Sequence, residues 1–410
     1  MKQIKRETYL SQIRKYYELD LIKVLTGVRR CGKSIILKQI IEEIKSSTDE
    51  KHIVYINFED FEFEEIDTAK KLNEFVKSKI SDSEKYYLFF DEIQHVKDFE
   101  KVLASFRATL NCSIFVTGSN SKLLSGELAS LLVGRTVEFK IMPFSYLESI
   151  QLYKENNTEI PEDFIYDYIK WGGLPQRFEF SEEKDIKNYI ESVFNGIVEK
   201  DIYKRDSELE KYKFNTVSAY ILSNAGKEFS AANISNFYNN QNENNKKSIE
   251  KKTVYNYIEK LEKAYLISRV KRFNIVGKEV LKTIEKHYAI DMAFRTINTN
   301  LVNFFEDTFF LENIIYNELI LRGYSVYTGK TYKGEIDFVA IDGKKKCFIQ
   351  VSYLMPNEET IRREFEAFKP IKDASPKYVL SLDKIDLSYD GISHINIEDF
   401  LLHKKDLVLS

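Results

Sequence analysis

Gly27-Val28-Arg29-Arg30-Cys31-Gly32-Lys33-Ser34 sets two glycines, a lysine and a hydroxyl at the spacing G-x-x-x-x-G-K-S. Residues of these types, so spaced, suit phosphate binding. The glycines let the backbone curl until its N–H groups point inward at an anion, and a following helix adds the partial positive charge of its N-terminus. Lys33 would reach the β- and γ-phosphates, and the Ser34 hydroxyl would ligate Mg²⁺. The expected ligand is ATP with Mg²⁺, held by all eight residues. An acidic pair, Asp91-Glu92, closes the apolar run Tyr86-Tyr87-Leu88-Phe89-Phe90. Beside a phosphate loop, Asp91 is expected to hold Mg²⁺ through its water shell and Glu92 to polarise an attacking water. A third polar tip, Thr117-Gly118-Ser119-Asn120, follows Ser113-Ile114-Phe115-Val116. There Thr117, Ser119 or Asn120 can hydrogen-bond the γ-phosphate or the water, with a plain polar turn as the alternative.

Such groups need strand tips gathered at one edge of a sheet, where α/β folds bind their ligands. Leu21–Thr26 reads as a short buried strand entering the glycine loop. Ile36, Leu37, Ile40, Ile41 and Ile44 recur at helical spacing after it. His52–Phe58 reads as a further strand ending in Glu59-Asp60. Strand, loop, helix is the context that gives the loop motif its meaning.

The 410 residues, 43% hydrophobic and 30% charged, predict several domains with real cores. No apolar run has the length of a membrane span, and MKQIKRETYL lacks a signal-peptide core. Cys31, Cys112 and Cys347 stand apart without metal spacing, so a cytoplasmic location without membrane association is expected.

Together these segments resemble the additional-strand, catalytic-glutamate class of P-loop ATPases. More narrowly, Lys23–Arg30, Asp91-Glu92-Ile93-Gln94, Thr117-Gly118-Ser119, Leu132–Thr136 and Pro143-Phe144-Ser145-Tyr146 resemble the prokaryotic AAA-like ATPases with a DUF4143 C-terminal region. The resemblance covers nearly the whole chain. It implies an AAA-type parallel-sheet core over residues 1–155 and a sensor near Thr117–Asn120. It also implies Arg135 as an arginine finger, which would act in a homo-oligomer; a surface or salt-bridging arginine is the alternative. Trp171-Gly172-Gly173-Leu174-Pro175 resembles the Gly-x-Pro element of STAND-type ATPases, which implies a helical lid over 156–205 with Pro175 near the adenine. A helix-ending turn would use the same residues.

The net charge of −3 is unevenly spread. Residues 211–276 carry twelve Lys/Arg against five Glu, a net of +7, so the remainder sums to −10. Three short helical patterns and an alternating stretch, Leu266–Phe273, make residues 206–276 look like a winged helix-turn-helix. Its third helix carries Val254, Tyr257, Ile258 and Leu261 on a buried stripe, and leaves Lys251, Lys252, Asn256 and Lys260 for solvent. DNA is the expected partner through residues 248–272, with protein contact as the alternative.

Over 277–410, Glu312 on a helix, Asp337 on a strand and Gln350-Val351-Ser352 on the next strand resemble the site of PD-(D/E)xK nucleases. The chain departs where the motif would have acid-x-lysine. Gln350 brings no charge to a metal, and the lysine is absent unless Lys330, Lys333 or Lys346 replaces it. A retained nuclease-like fold without activity is expected. The expected function is therefore ATP hydrolysis coupled to a DNA-binding winged helix and an inactive nuclease-like domain. A slow nucleotide switch or protein-binding scaffold is the alternative.

Overall fold

The apolar runs of the first 140 residues pair side by side because each is followed by a helix or turn that returns the chain to the same edge. The computed structural model describes residues 2–119, 132–241, 248–299 and 308–410. They divide into two units, one of Lys2–Pro143 with Lys263–Tyr265, the other of Phe144–Glu262 and Leu266–Ser410.

In the first unit, helix α1 (Glu7–Ile13) precedes β1 (Ile22–Thr26), α2 (Lys33–Lys45), β2 (Ile53–Asn57), α3 (Ala69–Lys79), β3 (Tyr86–Asp91), α4 (Phe99–Thr109), β4 (Cys112–Gly118) and β5 (Thr136–Lys140). The strands form a parallel sheet in the order β2-β3-β4-β1-β5. This is the α/β architecture expected of a P-loop NTPase core. Every residue of β1 and β3 is buried, as parallel strands covered on both faces require. Val24, Leu88, Phe90 and Val116 pack on Leu72 and Val76 of α3 and on Leu103 and Phe106 of α4. Phe89 stacks on Phe115 with ring centroids 4.7 Å apart, while Ile36, Leu37 and Ile40 bury the inner stripe of α2. Register aligns the tips: Thr26 lies opposite Gly118, Phe90 opposite Val116, and Asn57 opposite Asp91. The loop after β1 and the acids ending β3 therefore share the carboxyl edge.

The second unit opens with a capping box, in which Ser145 and Glu148 exchange hydrogen bonds at the start of α5 (Tyr146–Glu155). The core expected over 1–155 thus ends earlier, at Pro143. Then come α6 (Phe164–Trp171), α7 (Glu183–Ile197), α8 (Lys211–Ser223), β6 (Glu228–Phe229), α9 (Ala231–Gln241), α10 (Lys251–Lys263), β7 (Ile267–Asn274), β8 (Glu279–Ala289) and the short α11 (Met292–Thr296). The described chain continues with α12 (Thr308–Leu321), β9 (Ser325–Lys330), β10 (Glu335–Asp342), β11 (Lys345–Val351), α13 (Glu358–Glu366), β12 (Lys377–Ser381), β13 (Ser393–Asn396) and α14 (Ile397–Leu401).

One eight-stranded sheet runs β13-β12-β11-β10-β9-β7-β8-β6. β7 pairs antiparallel with β8 and parallel with β9, so the boundary expected at 276/277 falls inside a hairpin. Composition marked that boundary, but pairing on both sides of β7 removes an exposed edge and joins the two stretches. Helix α12 is buried on nearly all sides, and its Tyr316 stacks on Tyr288 of β8.

Candidate functional site

Gly27 follows β1 with φ +142°, and a Cβ there would lie 2.2 Å from the backbone oxygen of Ile141. No other residue fits that turn without moving the chain. Gly32 caps α2, and Lys33 opens it. The buried Lys33 ammonium donates to the carbonyls of Gly27 (3.1 Å) and Val28 (3.2 Å), and lies 3.7 Å from the Glu92 carboxylate. Val28 and Cys31 are buried; Arg30 is exposed at φ +67°. Burial pushes the Cys31 thiol up, so it stays protonated and packs as a small apolar group. Behind the loop, Arg6 donates to the Cys31 carbonyl (3.0 Å) and the Pro143 carbonyl (3.2 Å). Nothing in the sequence marks Arg6 for this task.

Asp91 ends β3 and is buried, accepting hydrogen bonds from the Tyr55 hydroxyl (3.3 Å), from Thr117 and from Ser34. Burial raises its pKa, against the pull of the Thr117 and Ser34 hydroxyls. Glu92 takes a left-handed backbone, φ +55°, that costs a non-glycine residue free energy. Burial opposes its ionisation too, but the Lys33 ammonium, the Gln94 amide and the Arg29 guanidinium together hold its carboxyl below the usual range. Two neighbouring acids are thus driven in opposite directions by their surroundings.

Thr117 is not available to a phosphate. Its one hydroxyl hydrogen goes to Asp91, and its oxygen accepts the Glu92 N–H at 2.8 Å. The side chain ties β4 to β3 instead of meeting a ligand as expected. Ser119 is the tip hydroxyl left over. It is buried, makes no hydrogen bond of good geometry, and is near enough to Glu92 to favour its charged form. Asn120 lies outside the described residues. Arg135 is exposed, and its carbonyl accepts the N–H of Ile22 at the start of β1. The loop begins after Thr26, about 13 Å further along the strand at the usual rise per residue. Arg135 is therefore at the far edge of the sheet from its own phosphate loop.

Among the described residues no group of three or more His, Cys, Asp or Glu is placed to hold a metal. Mg²⁺ needs no such group, because it keeps waters and binds substrate phosphates with one or two protein oxygens. The hydrogen-bonded pair of Ser34 and Asp91 fits that role.

In the second unit, Trp171–Pro175 is organised by a residue far along the chain. Asp291 accepts the N–H of Gly173 and of Ala293, each at 2.9 Å. A Cβ on Gly172 (φ +65°) would lie 1.9 Å from the same carboxylate. Arg177 donates to the Gly172 carbonyl at 2.6 Å and to Asp167 at 2.9 Å. Pro175 opens the helical turn Pro175–Glu179 in this scaffold. Full burial pushes Asp291 up to about 6, against the N–H groups of Gly173, Ala293 and Leu174. The folded chain then holds this proton more tightly than the unfolded one, so the contribution is full below about pH 4 and lost as pH rises through 6. Chemical denaturation of the full chain should show a loss of roughly 2–3 kcal/mol across that window. Asp291→Asn should flatten that part of the profile; an unchanged slope would move the titration elsewhere.

The nuclease-like residues also meet, with an unforeseen companion. Asp337 accepts the Val351 N–H (2.8 Å), and the Gln350 side-chain oxygen accepts the Asp337 N–H (3.4 Å). Lys286 of β8 sits between Glu312 (3.2 Å) and Glu335 (2.6 Å), and Tyr288 donates to Glu312 at 3.1 Å. Arg272 joins Glu335 at 3.0 Å and also pairs with Glu228. Burial, then the neighbouring Glu312, pushes Asp337 well above the carboxylate range; burial likewise raises Glu312. Lys346 pairs with Asp373, and the ammonium near the acids is Lys286.

On α10, Lys251, Lys252, Tyr255, Asn256 and Glu259 face solvent. Lys260 does not stand free there, because it pairs with Asp206 at 2.8 Å. No described helix is long and apolar enough to cross a membrane.

An AAA domain family matches residues 20–150, and a domain of unknown function (DUF8612) matches residues 162–303. An uncharacterized protein of Haemophilus influenzae is 34% identical over 405 residues, 97% of this chain and 98% of that one. An uncharacterized protein of Methanocaldococcus jannaschii is 31% identical over 396 residues, 92% of this chain and 85% of that one. Among solved structures, AMPPCP-bound DnaA from Aquifex aeolicus is similar at 15% identity and a TM-score of 0.34, covering 64% of this chain and 89% of that chain.

Proposed function

The chain belongs to the same family as the Haemophilus influenzae protein and carries an AAA domain, and from this we propose that it binds ATP with Mg²⁺ and hydrolyses it, coupling nucleotide state to DNA binding. The observation that carries the proposal is the glycine loop set against two buried acids at one sheet edge: the buried Lys33 opens α2 and lies 3.7 Å from Glu92, and the neighbouring Asp91 accepts a hydrogen bond from Ser34. The loop N–H groups and Lys33 bind and orient the triphosphate. Ser34 and Asp91 would hold Mg²⁺, which would supply neutralisation of phosphate charge. Glu92, kept ionised by its cationic neighbours, accepts a proton from water as the water oxygen bonds to the γ-phosphorus. Gln94 and the Thr117 contact to the Glu92 N–H fix where that carboxylate points. The Gln94 contact also favours a slow basal rate, since Glu92 must be shared between the amide and the water.

Helices α8, α9 and α10 followed by the β7–β8 hairpin have the element order of a winged helix, and the exposed Lys251 and Lys252 support DNA as its partner. The order helix, strand, strand, strand with Glu312, Asp337 and Gln350 supports a nuclease-like, DUF4143-like C-terminal part, and the Gly-Gly-Leu-Pro turn supports a lid. ATP turnover measured with and without duplex DNA at two salt concentrations tests the coupling. Lys251→Ala with Lys252→Ala should lower the log–log salt slope of DNA binding by about two. Adding Lys260→Ala should change the slope little, because Asp206 already neutralises that ammonium. Absence of DNA binding by the unaltered chain would leave protein contact as the role of this segment.

A further inference from the structure

We propose that Arg29 is the cation that stabilises the transferring phosphoryl group within one chain, so that hydrolysis needs no arginine from a second copy. The proposal rests on the ATPase function above and adds a catalytic residue to it.

Sheet order makes the case. Arg29 is anchored in the loop after β1, yet its guanidinium lies 3.6 Å from Glu59, two residues beyond the end of β2. In the order β2-β3-β4-β1, the tips of β3 and β4 lie between those two points. Three strand spacings separate β1 from β2, about 14 Å. To meet Glu59, the Arg29 side chain has to reach out over the edge that carries Asp91, Glu92 and Ser119. A guanidinium held over that edge is beside the place where a γ-phosphate bound by Lys33 and Ser34 must sit.

Its contact with Glu59 can be exchanged. The Arg29 side chain is 17% exposed and that of Glu59 50% exposed. An ion pair of this length with a half-exposed carboxylate contributes about 0–1 kcal/mol. Two N–H groups of a guanidinium on phosphate oxygens make a charge-assisted, two-pronged contact that is stronger. Within one chain, Arg135 and Arg6 are worse placed. Arg135 is at the opposite edge of the sheet, and Arg6 is committed to the carbonyls behind the loop.

In the reaction, the water oxygen bonds to the γ-phosphorus and its proton passes to Glu92. The bond from the γ-phosphorus to the bridging oxygen breaks, its electron pair stays on the β-phosphate, and ADP and inorganic phosphate leave. Negative charge gathers on the leaving oxygen and persists on the equatorial oxygens in flight. Arg29 would meet that charge without any motion larger than a side-chain swing from Glu59.

The test uses the full chain and measures turnover per subunit across a hundredfold range of protein concentration. It also measures the Kd for a fluorescent ATP analogue and trapping of ADP with aluminium fluoride. Arg29→Ala should lower kcat by about 10²–10³-fold, with the analogue Kd changed by less than about tenfold and aluminium fluoride trapping lost. Arg29→Lys should recover only part of the rate, because a point charge replaces a fork. Turnover per subunit should not depend on concentration. Wild-type kcat in Arg29→Ala overturns the proposal. So does loss of analogue binding in step with turnover, which would make Arg29 a ground-state binding residue. Loss of turnover in Arg135→Ala that is restored by mixing with Glu92→Gln protein would assign the cation to a second copy. An unaltered chain that binds the analogue but never turns over would instead bring down the ATPase function, a failure separable from that of Arg29.

Discussion

Lys33→Ala should abolish tight Mg-ATP binding, while Glu92→Gln should keep binding and lose hydrolysis. The two residues are 3.7 Å apart, so the split between them follows from chemistry and not from place. Lys33 is buried, and its charged contacts with a triphosphate would form in a site shielded from water. Truncating one partner of such a pair costs about 2–5 kcal/mol, a loss of roughly 30-fold to several thousandfold in Kd. Glutamine preserves the size of Glu92 and removes only its capacity to take a proton, worth about 10²–10⁴-fold in rate. Equilibrium binding of a fluorescent analogue and release of inorganic phosphate separate the two effects. Wild-type hydrolysis in Glu92→Gln would remove the residue from its catalytic role. Tight binding in Lys33→Ala would mean the loop N–H groups suffice for the phosphates.

Lys286→Met should be the costliest single change in the second unit. It leaves Glu312 and Glu335 without the ammonium that lies 3.2 and 2.6 Å from them, in a cluster that burial already presses toward neutrality. Breaking a buried pair from one side costs about 3–5 kcal/mol. The deficit should shrink toward pH 5. With the ammonium gone, the folded pKa of Glu312 rises further above its unfolded value; such a group stabilises at low pH and loses that contribution as pH rises through the folded pKa. Denaturation midpoints of variant and unaltered chain at pH 5 and pH 8 measure the difference, and equal midpoints at pH 8 would show the cluster to be solvated. The same ammonium bears on nuclease chemistry. It pairs with Glu312, one of the two carboxylates a divalent cation would need, and Gln350 adds no charge, so the unaltered chain should show no Mg²⁺-dependent cleavage of duplex, branched or single-stranded DNA beyond an Asp337→Ala control. Nicking that vanishes in Asp337→Ala would make Lys286 a catalytic lysine instead of a resident cation.

The legible part of the site was contiguous. Gly27 to Ser34 and Asp91-Glu92 could be read directly because a phosphate loop and a strand ending in acids are local backbone conformations, set by neighbouring residues. The strands were legible for the same reason: buried parallel strands are apolar runs, and β1 and β3 are buried throughout. The domain boundary near 276 was misplaced because composition changes there while hydrogen bonding does not, β7 pairing on both sides.

What the sequence determined by itself is the identity of the phosphate loop, its lysine and hydroxyl, and the acids that follow. Tertiary structure alone decided where each of several similar side chains sits and what it pairs with. Thr117 and Ser119 are two residues apart, yet only the β3–β4 register shows that the first is spent on Asp91. Gly172 looks like any turn glycine until Asp291, 118 residues from Gly173, closes on the turn. Arg135 is separated from the site by the length of β1, and Arg29 is brought over the acids by strand order. Lys286 reaches Glu312 and Glu335 because β8 shares a sheet with β10, which carries Glu335. Local conformation is encoded by a few adjacent residues, whereas the partner of a buried charge or hydroxyl is chosen by strand pairing over the whole chain, and no short stretch of sequence contains that choice.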